Sequence, residues 1–66
     1  MPKLPRLTAA EAEQMLLRAG FAHVRSRGSH RIYLRDATRI VLPFHAGETL
    51  HPKIVKQVLA LTGQQE

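Results

Sequence analysis

The chain has no cysteine, which removes two ways of stapling a small fold, a disulfide framework and a thiolate zinc site. It also lacks any apolar run near the roughly 18 to 20 residues needed to cross a bilayer. Its opening, Met1-Pro2-Lys3-Leu4-Pro5, is without the apolar core of a signal peptide. Together these absences lead us to expect a soluble, cytoplasmic chain with no membrane contact. We find no internal repeat and no low-complexity segment. At 66 residues the expectation is one domain of modest stability, because a body of this size buries only about 60% of the surface its unfolded chain exposes.

What is present in excess is positive charge. Ten Lys and Arg stand against five Asp and Glu, a formal net charge of +5. Such an imbalance points to a polyanion or to an acidic protein partner. The charge is also concentrated: Arg25, Arg27, Arg31, Arg35 and Arg39 crowd the middle of the chain, with Asp36 the only acid among them. A solvated sheet face would use arginines in this way too. Their planar, forked head groups also suit phosphate.

Residues 1–7 read as an extended lead-in containing two prolines. Thr8-Ala9-Ala10-Glu11 fits a capping box, in which Thr8 caps a helix and Glu11 reaches back to it. Ala12, Met15, Leu16 and Ala19 follow at helical spacing, while Glu11, Gln14 and Arg18 are expected to face water. Gly20 supplies a left-handed stop, and Phe21 folds back onto Leu16. The spacing therefore predicts a helix over 8–19.

From Ala22 the pattern changes to short β-prone runs. One strand covers 22–27, a tight Gly28-Ser29 turn follows, and a second strand runs from Ser29 or His30 to Arg35. Asp36-Ala37-Thr38 makes another turn, and the third strand covers 39–44, with Pro43 marking its end or an edge. In the second strand Ile32 and Leu34 alternate with Arg31, Tyr33 and Arg35; in the third, Ile40, Leu42 and Phe44 share a face. The expectation is an antiparallel meander with an apolar side carrying Ile32 and Leu34 and an arginine-rich side carrying Tyr33. After a polar loop at 45–49, Pro52 opens a second helix whose apolar stripe is Ile54, Val55, Val58, Leu59 and Leu61. Gly63 ends it, and Gln64-Gln65-Glu66 frays. The order α-β-β-β-α implies an α+β, two-layer sandwich.

Four histidines, His23, His30, His45 and His51, bring a metal site to mind. Their spacings match no zinc-finger pattern, no pair lies four apart on a helix, and carboxylates to complete a site are few. We expect neither metal nor other cofactor. A histidine can instead move protons, since its ordinary pKa lies near neutrality. His30 follows Gly28, whose bare backbone can approach a phosphate, and is flanked by Arg27 and Arg31. It also shares strand parity with Ile32 and Leu34, which would send it to the apolar side unless a bulge or strand start at Ser29-His30 released it. A histidine merely hydrogen-bonded at a strand end remains the alternative reading of these residues.

Taken together, several segments resemble the HicA family of bacterial toxins. They are the helix ending Arg18-Ala19-Gly20-Phe21, then Gly28-Ser29-His30 leading into Ile32-Tyr33, then Val41-Leu42-Pro43-Phe44-His45-Ala46-Gly47. Leu50 and the helix Ile54-Val55-Lys56-Gln57-Val58-Leu59 close the likeness, which runs from about residue 8 to residue 63. Gly-Ser-His alone occurs often by chance; it gains specificity from the Pro-x-His-x-Gly element and closing helix behind it. The chain differs where many relatives carry Gly-Thr-Leu-Arg, reading His51-Pro52-Lys53-Ile54 instead.

The resemblance implies a small mRNA interferase with a double-stranded-RNA-binding-domain-like fold, neutralised by a HicB-type antitoxin that occludes the histidine face. It places His30 as the catalytic residue and His45 as the second histidine, in a contacting or loop-supporting role. Arg25, Arg27, Arg31 and Lys53 are then expected to hold the RNA backbone around the Gly28-Ser29 turn. Tyr33 would stack one base or pack against neighbouring arginines; a single ring falls short of the platform typical of single-strand binders. The same fold gripping structured RNA without cutting it is the first rival reading, and an adaptor whose arginine stripe serves only to dock an acidic protein is the second.

Overall fold

The computed structural model describes residues 6–45 and 48–63. Residues 1–5 of the lead-in expected over 1–7, the middle of the polar loop at 46–47 and the frayed end at 64–66 lie outside the described residues.

The first helix, α1 (Ala9–Arg18), begins where the sequence chemistry puts it. The Thr8 hydroxyl accepts the Glu11 N–H at 3.2 Å, and the Glu11 carboxylate accepts the Thr8 N–H at 2.9 Å. Two backbone donors at the open end of the helix are thereby satisfied. At the other end the Phe21 N–H donates to the Leu16 carbonyl and the Gly20 N–H to the Leu17 carbonyl. That reversal requires the positive φ of 98° at Gly20 and folds Phe21 back into the core beside Leu16.

Three strands follow, β1 (Ala22–Arg27), β2 (His30–Arg35) and β3 (Thr38–Pro43), forming one antiparallel sheet in the order β1-β2-β3. Two-residue turns connect them. Gly28 and Asp36, the first residues of those turns, both take positive φ, 62° and 54°. The final helix, α2 (Pro52–Thr62), is capped by His51, whose Nδ1 accepts the Lys53 N–H at 3.1 Å, and ends at Gly63 with φ 73°. The Leu50 N–H donates to the Leu7 carbonyl, and a bridge joins Thr8 to Thr49. These links draw the start of α1 and the approach to α2 together.

Both helices lie on one side of the sheet, giving the α+β two-layer sandwich in the α-β-β-β-α order. The core holds Ala9, Ala12 and Leu16 from α1, Phe21, then Tyr33, Ile40 and Leu42 from the sheet. Leu50 and the α2 residues Val55, Val58 and Leu59 complete it. Leu16, Tyr33, Leu42, Val55 and Val58 are its largest fully buried side chains.

The face expected for β2 is corrected. Tyr33 is completely buried against the helices, whereas Leu34 is 40% exposed. The cause is the length of one turn. A three-residue turn at 36–38 would set Leu34 opposite Ile40. The turn is Asp36-Ala37 alone, Arg35 pairs with Thr38, and Tyr33 falls opposite Ile40. A slip of one residue sends every side chain of a strand to the other face.

Candidate nucleic-acid interface

The buried face of β2 is polar, and α1 satisfies it. Glu13 lies four residues after buried Ala9 and three before buried Leu16, hence on the inward stripe of the helix. Its carboxylate accepts the Tyr33 hydroxyl at 2.5 Å and the Arg31 guanidinium at 3.2 Å. Arg31 also lies over the Phe44 ring, 4.0 Å from its centroid. Arg35 lies over the Phe21 ring at 4.5 Å and donates to the Ala19 carbonyl at 2.8 Å, a cation at the negative end of α1. Burial pushes the Tyr33 hydroxyl well above its ordinary pKa, and the adjacent Glu13 carboxylate pushes it further the same way.

The opposite face is open to solvent and holds His30. This residue starts β2, is exposed, and pairs with Arg27 on one side and Pro43 on the other. Its parity with Ile32 and Leu34 is as the alternation indicates. No bulge at Ser29-His30 is needed to free it, because that whole face is outside.

A bulge occurs elsewhere, between His23 and Arg25 on β1. Val24 is the extra residue and is 50% exposed. It shifts the phase of the strand: His23 pairs with Tyr33 on the inner side, while Arg25 pairs with Ile32 and Arg27 with His30 on the outer side. On the inner side His23 lies 5.3 Å from the Tyr33 ring centre to centre and is 2.9 Å from the Ser26 hydroxyl.

One end of the sheet therefore collects Arg27, the exposed Gly28-Ser29 turn, His30, Pro43 and, leaving β3, Phe44 and exposed His45. The Phe44 N–H donates to the Ser29 carbonyl at 2.6 Å, tying the two histidine-bearing segments. Arg25 lies one pair further along the same face. A Cβ at Gly28 would meet nothing within 4 Å, so glycine serves the backbone turn and leaves it open to approach from solvent. Lys53 is exposed in the first turn of α2.

Two expected contacts do not stand there. Tyr33 has no exposed face with which to stack a base. Arg31 faces the helices and is paired with Glu13. Three residues with defined roles were not anticipated. Glu13 was legible from its 9-13-16 spacing, and the cap formed by His51 from its place just before Pro52. The Arg35 contact with the end of α1 left no signal in sequence order. Among the described residues no three His, Cys, Asp or Glu side chains group as metal ligands, and no helix is long and apolar enough to cross a membrane.

An exposed histidine after a glycine turn, beside arginines on the open face of a three-stranded sheet, defines a small basic α+β protein with a positively charged open face. The chain belongs to the HicA toxin family of bacterial toxin–antitoxin systems, whose family model matches residues 9–64, from the first residue of α1 to just beyond α2. Membership makes it the toxin component and implies an antitoxin partner. Neither the curated proteins nor the solved structures contain a match to it.

Proposed function

We propose that the chain is an endoribonuclease that cleaves mRNA by metal-independent histidine catalysis and is held inactive by a HicB-type antitoxin. The observation carrying this reading is the position of His30, exposed on the open sheet face between Arg27 and the end of β3 and directly after the Gly28-Ser29 turn. In-line cleavage needs a base for the 2′-hydroxyl proton and cations for the phosphate. A neutral imidazole accepts that proton as the 2′-oxygen bonds to phosphorus, and the 5′-oxygen departs with a proton taken from solvent water, leaving a 2′,3′-cyclic phosphate. Arginine is charged at every working pH and serves only to neutralise and orient the phosphate. Arg25 and Arg27 share the His30 face; Gly28 and Ser29 offer turn backbone; His45 and Lys53 extend the contact surface. Recognition of RNA by such a fold relies on backbone shape and 2′-hydroxyls more than on base identity. With one histidine carrying the proton transfer, turnover is slow.

A second reading, a structured-RNA-binding module without catalysis, draws on a different observation: among the described residues no side-chain hydrogen bond orients the His30 imidazole. Cleavage of labelled RNA by the purified chain beside His30→Ala, with thermal melts of both and a 2′-deoxy substrate as control, separates the two. Loss of cleavage in the variant at an unchanged melt, with the 2′-deoxy strand left whole, supports the ribonuclease. Retardation of RNA without shortening by either protein favours the binding module. Equal cutting by both removes His30 from the chemistry.

A further inference from the structure

We infer that Glu13, Arg31 and Phe44 form a clamp that holds the two histidine-bearing segments in place from the buried side of the sheet, making Arg31 a positioning residue and not a phosphate ligand. The kinetic consequence of this clamp rests on the ribonuclease reading above; its structural consequence does not.

His30 and Arg31 are neighbours in the chain, and strand alternation sends them to opposite faces. The Arg31 guanidinium meets the Glu13 carboxylate at 3.2 Å, and that side chain is only 18% exposed. The guanidinium carbon of Arg31 lies 4.0 Å from the centre of the Phe44 ring. The N–H of Phe44 then donates to the Ser29 carbonyl, one residue before His30, and Phe44 itself directly precedes His45. The carboxylate fixes the guanidinium, the guanidinium holds the ring, and the backbone of that ring's residue ties β3 to the turn.

Withdrawing Arg31 to meet a phosphate would leave a largely buried carboxylate with the Tyr33 hydroxyl as its remaining partner here, an expensive arrangement. It would also strip the cation from the Phe44 ring. The geometry therefore commits Arg31 to the inner face, where it governs how His30 and His45 are presented.

Three conservative variants, with Arg31→Ala beside them, test this. Glu13→Gln keeps an acceptor for Tyr33 but removes the charge that anchors Arg31. Phe44→Leu keeps apolar volume but removes the ring. Arg31→Lys keeps the charge but loses the planar fork. Each is expected to speed hydrogen exchange at the Phe44 amide by about tenfold or more. Each should lower kcat by roughly tenfold while KM and the salt dependence of RNA retention stay at wild-type values. The clamp is overturned if the Phe44 amide stays protected in all three variants. It is equally overturned if Arg31→Lys matches the wild type, or if Arg31→Ala reduces the salt slope of RNA binding by about one unit, as loss of a phosphate contact would. If the wild-type chain cuts no RNA, the ribonuclease reading fails, and amide exchange and salt slope still decide the clamp.

Discussion

The Tyr33 hydroxyl donates to the Glu13 carboxylate across the junction of β2 and α1, so the one tyrosine of the chain lies inside the fold with its polar end satisfied by a helix. Without that carboxylate the buried hydroxyl would lack this acceptor, and the inward turn of β2 would carry a desolvation cost. The pair links the fold's stability to proton binding.

Tyr33 in the folded chain ionises well above its ordinary value of 10.0, chiefly through burial and then through Glu13. Being raised on folding, this pKa contributes stability that is fully present below pH 10 and is lost as the pH climbs above that value toward the folded pKa. Denaturation midpoints measured across the alkaline range should therefore fall above about pH 10. Tyr33→Phe should flatten that fall at a neutral-pH cost of about 1–2 kcal/mol. The ultraviolet band of tyrosinate, which only this residue can produce, should appear together with unfolding.

The arginines divide by face, and their variants should divide the same way. Arg27→Ala is expected to weaken RNA retention and to lower the salt slope by about one unit at an unchanged melt. Arg35→Ala, which loses its contacts with the Phe21 ring and the Ala19 carbonyl, should do the reverse, costing about 1–2 kcal/mol with little change in salt slope. Equal effects of the two on the melt would contradict the division.

His51 caps α2 with a ring nitrogen, and no acidic residue stands in that helix's first turn. His51→Asp supplies a better acceptor and a negative charge at the positive end of the helix. It should stabilise the protein by about 0.5–1 kcal/mol, a rise in Tm of several degrees, roughly 4–8 °C per kcal/mol in a domain this small. His51→Ala should move the Tm the other way.

Val24 is the extra residue of the β1 bulge on an edge strand that is exposed throughout. Deleting it would let His23, Arg25, Ser26 and Arg27 keep their present partners in one unbroken ladder. The deletion variant should thus retain its fold and RNA retention. It should also self-associate more readily by sedimentation, because a regular edge invites another strand. A monomeric deletion variant would remove the protective role of the bulge.

Local chemistry determined most of the elements. The Thr8–Glu11 box, the Gly20–Phe21 reversal, the Gly28 turn and the stripe of α2 each act within a few residues, so their signals are complete in the sequence. The alternation of β2 was equally legible as two sets, Arg31-Tyr33-Arg35 and His30-Ile32-Leu34. Which set turns inward was not, because it depends on whether the second turn has two residues or three, and on a carboxylate 20 residues away receiving the tyrosine hydroxyl. Hydrophobicity favours Ile32 and Leu34, yet the wide Tyr33 ring and the flat guanidinium groups lying on Phe44 and Phe21 fill the space under the helices. The sequence by itself thus determined where chain direction changes and where His30 stands in its strand. Tertiary structure decided that His30, Arg25 and Arg27 share an open face while Arg31 and Tyr33 are turned away, since only packing against α1 distinguishes the two sides of a strand.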